Sequence, residues 1–343
     1  MDDRHELPPG ASGAGIGGWA ESYFGGAPDI EDAYFRELSE MMVGIRRAVR
    51  NKSSSQVARR AFHPEIAIGV ENAELAFRKD LSPDLAAGFF TAGARLPAIV
   101  RFWRATGATA ISGGSVRVRG AGLRINLPGG DSHDLILTSS PISLARDATQ
   151  LVAIARIGAG PRRLIMQRML GNFGHVETLR ILRALRRATH QSTDSFQQSY
   201  WSRGAVLWGE VGPVRYRLVS SNASCATVPR GFDPYGLADG VGVLKAGAQR
   251  ETHLLFFLHI QKFVNNDLTP IEDASAEWNE SDSPWFAVAA LIIPFQDTLA
   301  PQGREIRDRV DALDFHSWHA PEEFRPLGNL NRAYRILPCD GQW

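Results

Sequence analysis

The sequence predicts an α+β fold in which antiparallel strands close into a barrel and a helical insertion interrupts them. Three observations lead there. From His63 to about Ile142 apolar residues recur mostly with period two, between about 147 and 192 the period becomes helical, and strand-like runs then return as far as Pro294. That is enough antiparallel strand to close on itself, which removes exposed sheet edges.

Taken in order, residues 1–28 are rich in Gly, Pro, Ser and Ala and read as a flexible tail, leaving 29–343 as a single domain. The glycines between Gly10 and Gly18 imitate a dinucleotide-binding turn. No strand precedes them and no clear helix follows directly, so the backbone context for a pyrophosphate is missing. From 30 to 50, Tyr34, Phe35, Leu38, Met41, Met42 and Ile45 fall at helical spacing, and Arg46, Arg47 and Arg50 sit where cations suit the helix dipole. This predicts a packing helix.

Strands follow at Ile66–Phe77, Leu96–Phe102, Val116–Arg119 and Leu123–Leu127, and Pro128-Gly129-Gly130-Asp131 turns the chain into another at Asp134–Leu137. In the insertion, about 147–195, Leu164, Met166, Met169, Leu170, Leu179, Ile181, Leu182 and Leu185 alternate with seven arginines between Arg162 and Arg187. A solvated face is the common reason for such a pattern; a membrane surface or an acidic partner is the alternative. Later strands are expected at Ala205–Trp208, Val214–Val219, Thr252–Leu258 and Trp285–Pro294, and a short helix at Asn329–Arg335.

Composition narrows the function classes. Lys plus Arg number 38 against 37 Asp plus Glu, so no global field recruits nucleic acid or an anionic membrane. The two cysteines, Cys225 and Cys339, form neither a disulfide framework nor a zinc motif. The N-terminus lacks the basic-then-apolar order of a signal peptide and no apolar run is long enough to span a bilayer, so a reducing, cytoplasmic setting is expected.

Two features carry chemistry. Arg59-Arg60-Ala61-Phe62-His63 sets a histidine at the entrance of a strand, and Leu96-Pro97-Ala98-Ile99-Val100-Arg101-Phe102 sets one arginine inside a β-branched strand. Taken alone, the histidine reads as a hydrogen-bonded core residue; a buried arginine calls for an anionic partner.

Five collinear segments extend these features over roughly 60–335. They are Phe62-His63; Pro97 to Phe102; Asp134-Leu135 with Pro141 and Arg146-Asp147; Tyr200-Trp201-Ser202 with Val214 to Leu218; and Pro270 to Ala274 with Glu277-Trp278, Ser283-Pro284-Trp285 and Arg325 to Arg332. In this order the chain resembles the catalase family of haem proteins, in its short catalase-related branch. The resemblance implies an eight-stranded antiparallel barrel with flanking helices, and haem b as cofactor. His63 matches the distal histidine, which takes a proton from one peroxide oxygen and returns it to the other, work suited to an imidazole with a pKa near neutrality. Arg101 matches an arginine that pairs with a haem propionate, and Arg60 and one of Arg117 or Arg119 are further candidates for that role; their alternative is ordinary surface arginine.

The chain departs from the family where the chemistry is made. Thr138 stands in place of the distal asparagine, and Trp103 in place of the serine that steadies the distal histidine. Ser143 and Leu144 replace the usual phenylalanines. On the proximal side, counting from Asn329-Leu330-Asn331-Arg332, the iron-binding tyrosine position falls on Pro338. Tyr334 or Cys339 could supply the ligand instead, or no side chain does. The resemblance thus implies an oxidoreductase that uses peroxide or an organic hydroperoxide on an organic substrate, with weak or no catalase activity. It also points to a homo-oligomer of unspecified size. The alternative is a non-catalytic barrel that binds haem or another apolar ligand.

Overall fold

A computed structural model describes residues 18–52, 65–107, 116–189, 196, 198–220, 254–294, 296–298 and 300–337 of the 343. Nine strands form one sheet: β1 Glu65–Phe77, β2 Arg95–Gly107, β3 Val116–Asn126, β4 Ser132–Thr138, β5 Tyr200–Ser202, β6 Val206–Leu207, β7 Pro213–Ser220, β8 Leu254–Lys262 and β9 Trp285–Ile293. They pair antiparallel in the order β5-β4-β3-β2-β1-β9-β8-β7-β6, and β5 also pairs with β7. That last pairing closes an eight-stranded ring and leaves the two-residue β6 outside it. The architecture is the expected α+β barrel.

Alternation along each strand fills the ring. Val100 and Phe102 from β2, Ala121 and Leu123 from β3, Leu137 from β4, Leu218 from β7, Phe256 and Leu258 from β8 and Leu291 from β9 belong to one buried cluster. At one end Phe77, His133, Trp208 and Phe324 gather around Phe90; at the other Phe102, Phe196, Tyr200 and Phe256 meet. Eight strands leave an interior just wide enough for such side chains. The outer face of the barrel is therefore where a large ligand would sit.

Helices α1 Pro28–Lys52, α2 Ala148–Gly158, α3 Ile165–Thr189, α4 Pro301–Asp311 and α5 Asn329–Ala333 surround the ring. Phe35, Leu38 and Met42 of α1 pack with Leu151 and Val152 of α2, with Leu330 and Ala333 of α5, and with Tyr334 and Leu337. The insertion between β4 and β5 breaks into two helices, and Gly174 in α3 has a φ of 71°, a left-handed conformation that a glycine adopts without strain. Asp147 caps α2, its carboxylate accepting the Gln150 N–H at 2.8 Å. Asp147→Ala should lower stability by about 1 kcal/mol, read as a urea midpoint shift with no change in slope.

Two features differ from the reading of the sequence. Residues 18–27, placed in the N-terminal tail on composition, are packed: Trp19 joins a cluster with Ile271, Trp278 and Leu327, and Glu21 is buried against Arg332. Composition reports the average residue, and here two residues anchor the segment. Residues 1–17 lie outside the described residues. Helix α4, not read from the sequence, buries Val310 against Gly69 of β1 on an otherwise polar helix. Among the described residues, no helix is long and apolar enough to cross a membrane.

Candidate functional site

Strands β2, β3 and β4 build the candidate site on their outer face. Their register sets two rows: Arg101 opposite Gly122 opposite Ile136, and Trp103 opposite Gly120 opposite Thr138. Because side chains alternate, Phe102, Ala121 and Leu137 point to the core while these six positions face out. The middle strand contributes only glycines, and the larger neighbours lean over it. A Cβ at Gly122 would meet Cγ and Nε of Arg101 at 3.1 Å and the Phe315 ring at 3.2 Å, and one at Gly120 would collide with Cζ2 and Cε2 of the Trp103 indole.

Arg101 is 8% exposed. Its guanidinium carbon lies 4.4 Å from the Phe315 ring centroid, while Nε and Nη2 are buried with no hydrogen-bond partner among the described residues. Burial lowers its pKa to about 10, and the nearby Asp134, Asp311 and Asp314 work against that fall, so it remains a cation at neutral pH. Asp134, the carboxylate that acts on it most strongly, is already used. Asp134 is held by Arg124 through two bonds of 2.8 and 2.7 Å, and it also accepts the His316 N–H at 3.0 Å and lies 3.2 Å from His319 Nδ1. Arg101 is left as a dry cation with unused donors.

Thr138 is buried, and its hydroxyl donates to the Ser140 carbonyl at 3.2 Å. Its remaining capacity is as an acceptor. Arg119 does not join Arg101: it shares strand parity with Ala121 and Leu123, the face turned to the barrel axis. For Arg117 only the strand backbone is described. Arg60, His63 and Cys339 lie outside the described residues. The first described residues after His63 pair with β2 beside the site, Glu65 with Arg104 and Ile66 with Trp103.

The C-terminal segment covers this face. Phe315 packs on Arg101 and Gly122, the His316 ring hydrogen-bonds the Tyr334 carbonyl, and Trp318 Nε1 donates to the Asn331 carbonyl at 2.9 Å. Tyr334 follows α5 with its ring 4.4 Å from the Arg203 guanidinium carbon, 5% exposed and packed with α1 and α2. Arg101 and Tyr334 are therefore tied to one short stretch of chain.

Arg332 fixes α5 in that position. It bonds Glu21 at 2.7 Å, Glu31 at 2.6 Å, Glu272 at 3.0 Å and the Ser22 carbonyl at 2.8 Å, with the Tyr23 ring 4.6 Å from its guanidinium. Burial alone would raise the Glu21 pKa, but Arg332, Arg325 and the Gly328 N–H hold it below the ordinary range. Burial prevails at Glu272 and raises it despite Arg332. Glu21 and Glu31 carried no sequence signal as partners, since nothing local marks a surface-type glutamate for burial.

A cavity of about 350 Å³ opens elsewhere on the barrel between Trp201, Trp278 and Trp285. Its two cations have partners, although Nε of each is buried with none among the described residues. Arg215 donates to the Ala276 and Asp273 carbonyls, and Arg217 pairs with Glu280 at 2.9 Å while stacking on Trp285. Among the described residues no cluster of His, Cys, Asp and Glu is arranged to hold a metal ion.

No protein-family model matches the chain, and no curated protein matches it. Solved structures do. The chain is similar to a fungal catalase at 14% identity and a TM-score of 0.58, over 80% of this chain and 57% of that one. It is similar to catalase A from Saccharomyces cerevisiae at 12% identity and 0.56, over 80% and 59%, and to a bacterial catalase at 14% and 0.50, over 80% and 55%. It thus spans little more than half the length of these catalases. At such identities the likeness is one of fold, a catalase-like barrel.

Proposed function

We propose that the chain is a haem-dependent oxidoreductase that uses peroxide or an organic hydroperoxide to transform an organic substrate. The catalase-like fold supports a haem-related function. The observation that carries the reading to this chain's own residues is Arg101: a buried cation on the outer face with two unpartnered donors, suited to a group that brings a carboxylate. Haem b fits that demand through its propionates, and when bound it supplies the iron at which a peroxide O–O bond is cleaved.

The chain's residues have the remaining roles. Arg101 binds and orients a propionate, with Arg60 as a second arm. His63 moves a proton between the two peroxide oxygens. Thr138, with its own proton committed to Ser140, offers a lone pair and no amide donor. A small peroxide is then poorly positioned for dismutation, which leaves room for a larger molecule to be the reductant. Tyr334 is the candidate for the iron.

Full-length protein reconstituted with haem should show a Soret band at one haem per chain and release little or no oxygen from hydrogen peroxide. Arg101→Leu should weaken haem binding by about tenfold or more, the value of a charge-assisted hydrogen bond. Absence of a Soret band, or rapid oxygen release abolished by His63→Ala, would overturn the proposal.

A second reading, a non-catalytic barrel, is favoured by the packing of Tyr334 beneath Arg203 and among α1 and α2. The same spectrum separates the two, since a barrel that holds haem passively would show the Soret band without peroxide-dependent substrate turnover.

A further inference from the structure

Trp103 on the outer face is 1% exposed, and its Nε1 is buried with no hydrogen-bond partner among the described residues. An indole N–H can only donate, and burying it unsatisfied is costly. The same strand carries a second such defect two residues away, at Nε and Nη2 of Arg101. Both side chains leave β2 on one face and lean over glycines of β3, Arg101 over Gly122 and Trp103 over Gly120. The indole edge on Gly120 is the edge that bears Nε1, since Cε2 is its bonded neighbour. Two residues along a strand span about 7 Å.

These orphan donors share a requirement. None can accept a hydrogen bond, so a ligand must bring acceptors, and one partner is a full cation in a dry setting, so the acceptors should be anionic. A carboxylate meets both conditions. Its two oxygens can each accept one bond, at about 2.9 Å, from donors that leave the same strand face two residues apart. Phe315, now stacked on Arg101, belongs to the irregular segment between α4 and α5 and is the side chain that would give way.

We infer that Trp103 is a positioning residue whose indole N–H, together with the Arg101 guanidinium, clamps one carboxylate of the bound porphyrin. This rests on the haem reading above and adds to it a ligand contact made by the tryptophan that stands where the resembling family has serine. The Trp103 ring also supplies packing, and the test must separate the two contributions.

Full-length wild type and Trp103→Phe are titrated with haem and with haem dimethyl ester, which keeps the ring and removes the carboxylate charge, following the Soret band. Trp103→Phe should weaken haem binding by about tenfold and leave binding of the diester within about twofold of wild type. An equal loss for both ligands, or none for haem, would overturn the inference while leaving the haem reading intact. Failure of wild type to bind either ligand would overturn both.

Should Trp103→Phe not fold, wild type labelled with 15N-tryptophan still decides the matter. The Trp103 indole resonance, assigned through backbone connectivities, should shift downfield with zinc protoporphyrin and stay in place with its dimethyl ester. No difference between the two would overturn the inference.

Discussion

Arg332→Met should cost about 3–5 kcal/mol at pH 7.5, the largest loss expected of any single substitution outside the barrel core. The side chain it removes is the shared cation of Glu21, Glu31 and Glu272, all buried or nearly so. Methionine keeps much of the volume, so most of the effect is electrostatic: carboxylates remain out of water with only Arg325 beside Glu21. The sign of the pH dependence follows. Without the guanidinium, burial leaves the folded-state pKa values of Glu21 and Glu272 above the ordinary glutamate value of 4.5, so the variant is penalised most at high pH and recovers as pH falls toward that value. In wild type the depressed Glu21 does the opposite: its contribution is present above 4.5 and is lost as pH falls through its folded value. Urea midpoints at pH 7.5 and 5 would therefore converge for the two proteins. An equal loss at both pH values would show that packing, not charge, is what Arg332 contributes. Because the network positions α5 and hence Tyr334, the variant should also lose whatever ligand binding the wild type shows.

His133→Phe should flatten the acid side of the stability profile. His133 lies among Phe90 and Phe324 at one end of the barrel, and burial holds its pKa down to about 4 from an ordinary 6.5. One ring nitrogen hydrogen-bonds the His319 carbonyl, and Nδ1 has no partner among the described residues. With the folded value depressed, the unfolded chain takes up the proton first. Stability is therefore complete above pH 6.5 and falls by about 3 kcal/mol as pH drops through 4. Phenylalanine removes that proton uptake, and the His319 carbonyl keeps its 2.7 Å bond from the Asp134 N–H. The larger ring costs about 1–2 kcal/mol at neutral pH through overpacking, so the decisive quantity is the slope between pH 6.5 and 4. Parallel profiles for wild type and variant would sink the argument. His259 and His316 are also depressed by burial, but they titrate in both proteins and cancel in the comparison.

The elements that announce themselves locally are those that the sequence discloses. The strands from Ile66 to Phe77 and from Leu96 to Phe102 and the helix around Phe35 and Leu38 each repeat a periodic pattern over about ten residues, because one face of each meets the core. Arg101 stands out for a related reason, as a charge in an otherwise apolar strand. Strand β5 has three residues and α4 is mostly polar, so neither holds a period long enough to read.

By itself, then, the sequence determined the alternation of strand, helix and strand, the barrel class and the arginine set among the apolar residues of Leu96–Phe102, all properties of neighbouring residues. Only the tertiary structure decided that Trp103, Gly120 and Thr138 form one row and that Arg119 faces away from Arg101, since a one-residue change in register would reverse either result. It alone brought Glu21 and Glu31 to Arg332 across 311 and 301 residues of chain. Such pairings depend on how distant segments pack once the barrel has closed, and a charged side chain carries no local mark of the partner it will meet there.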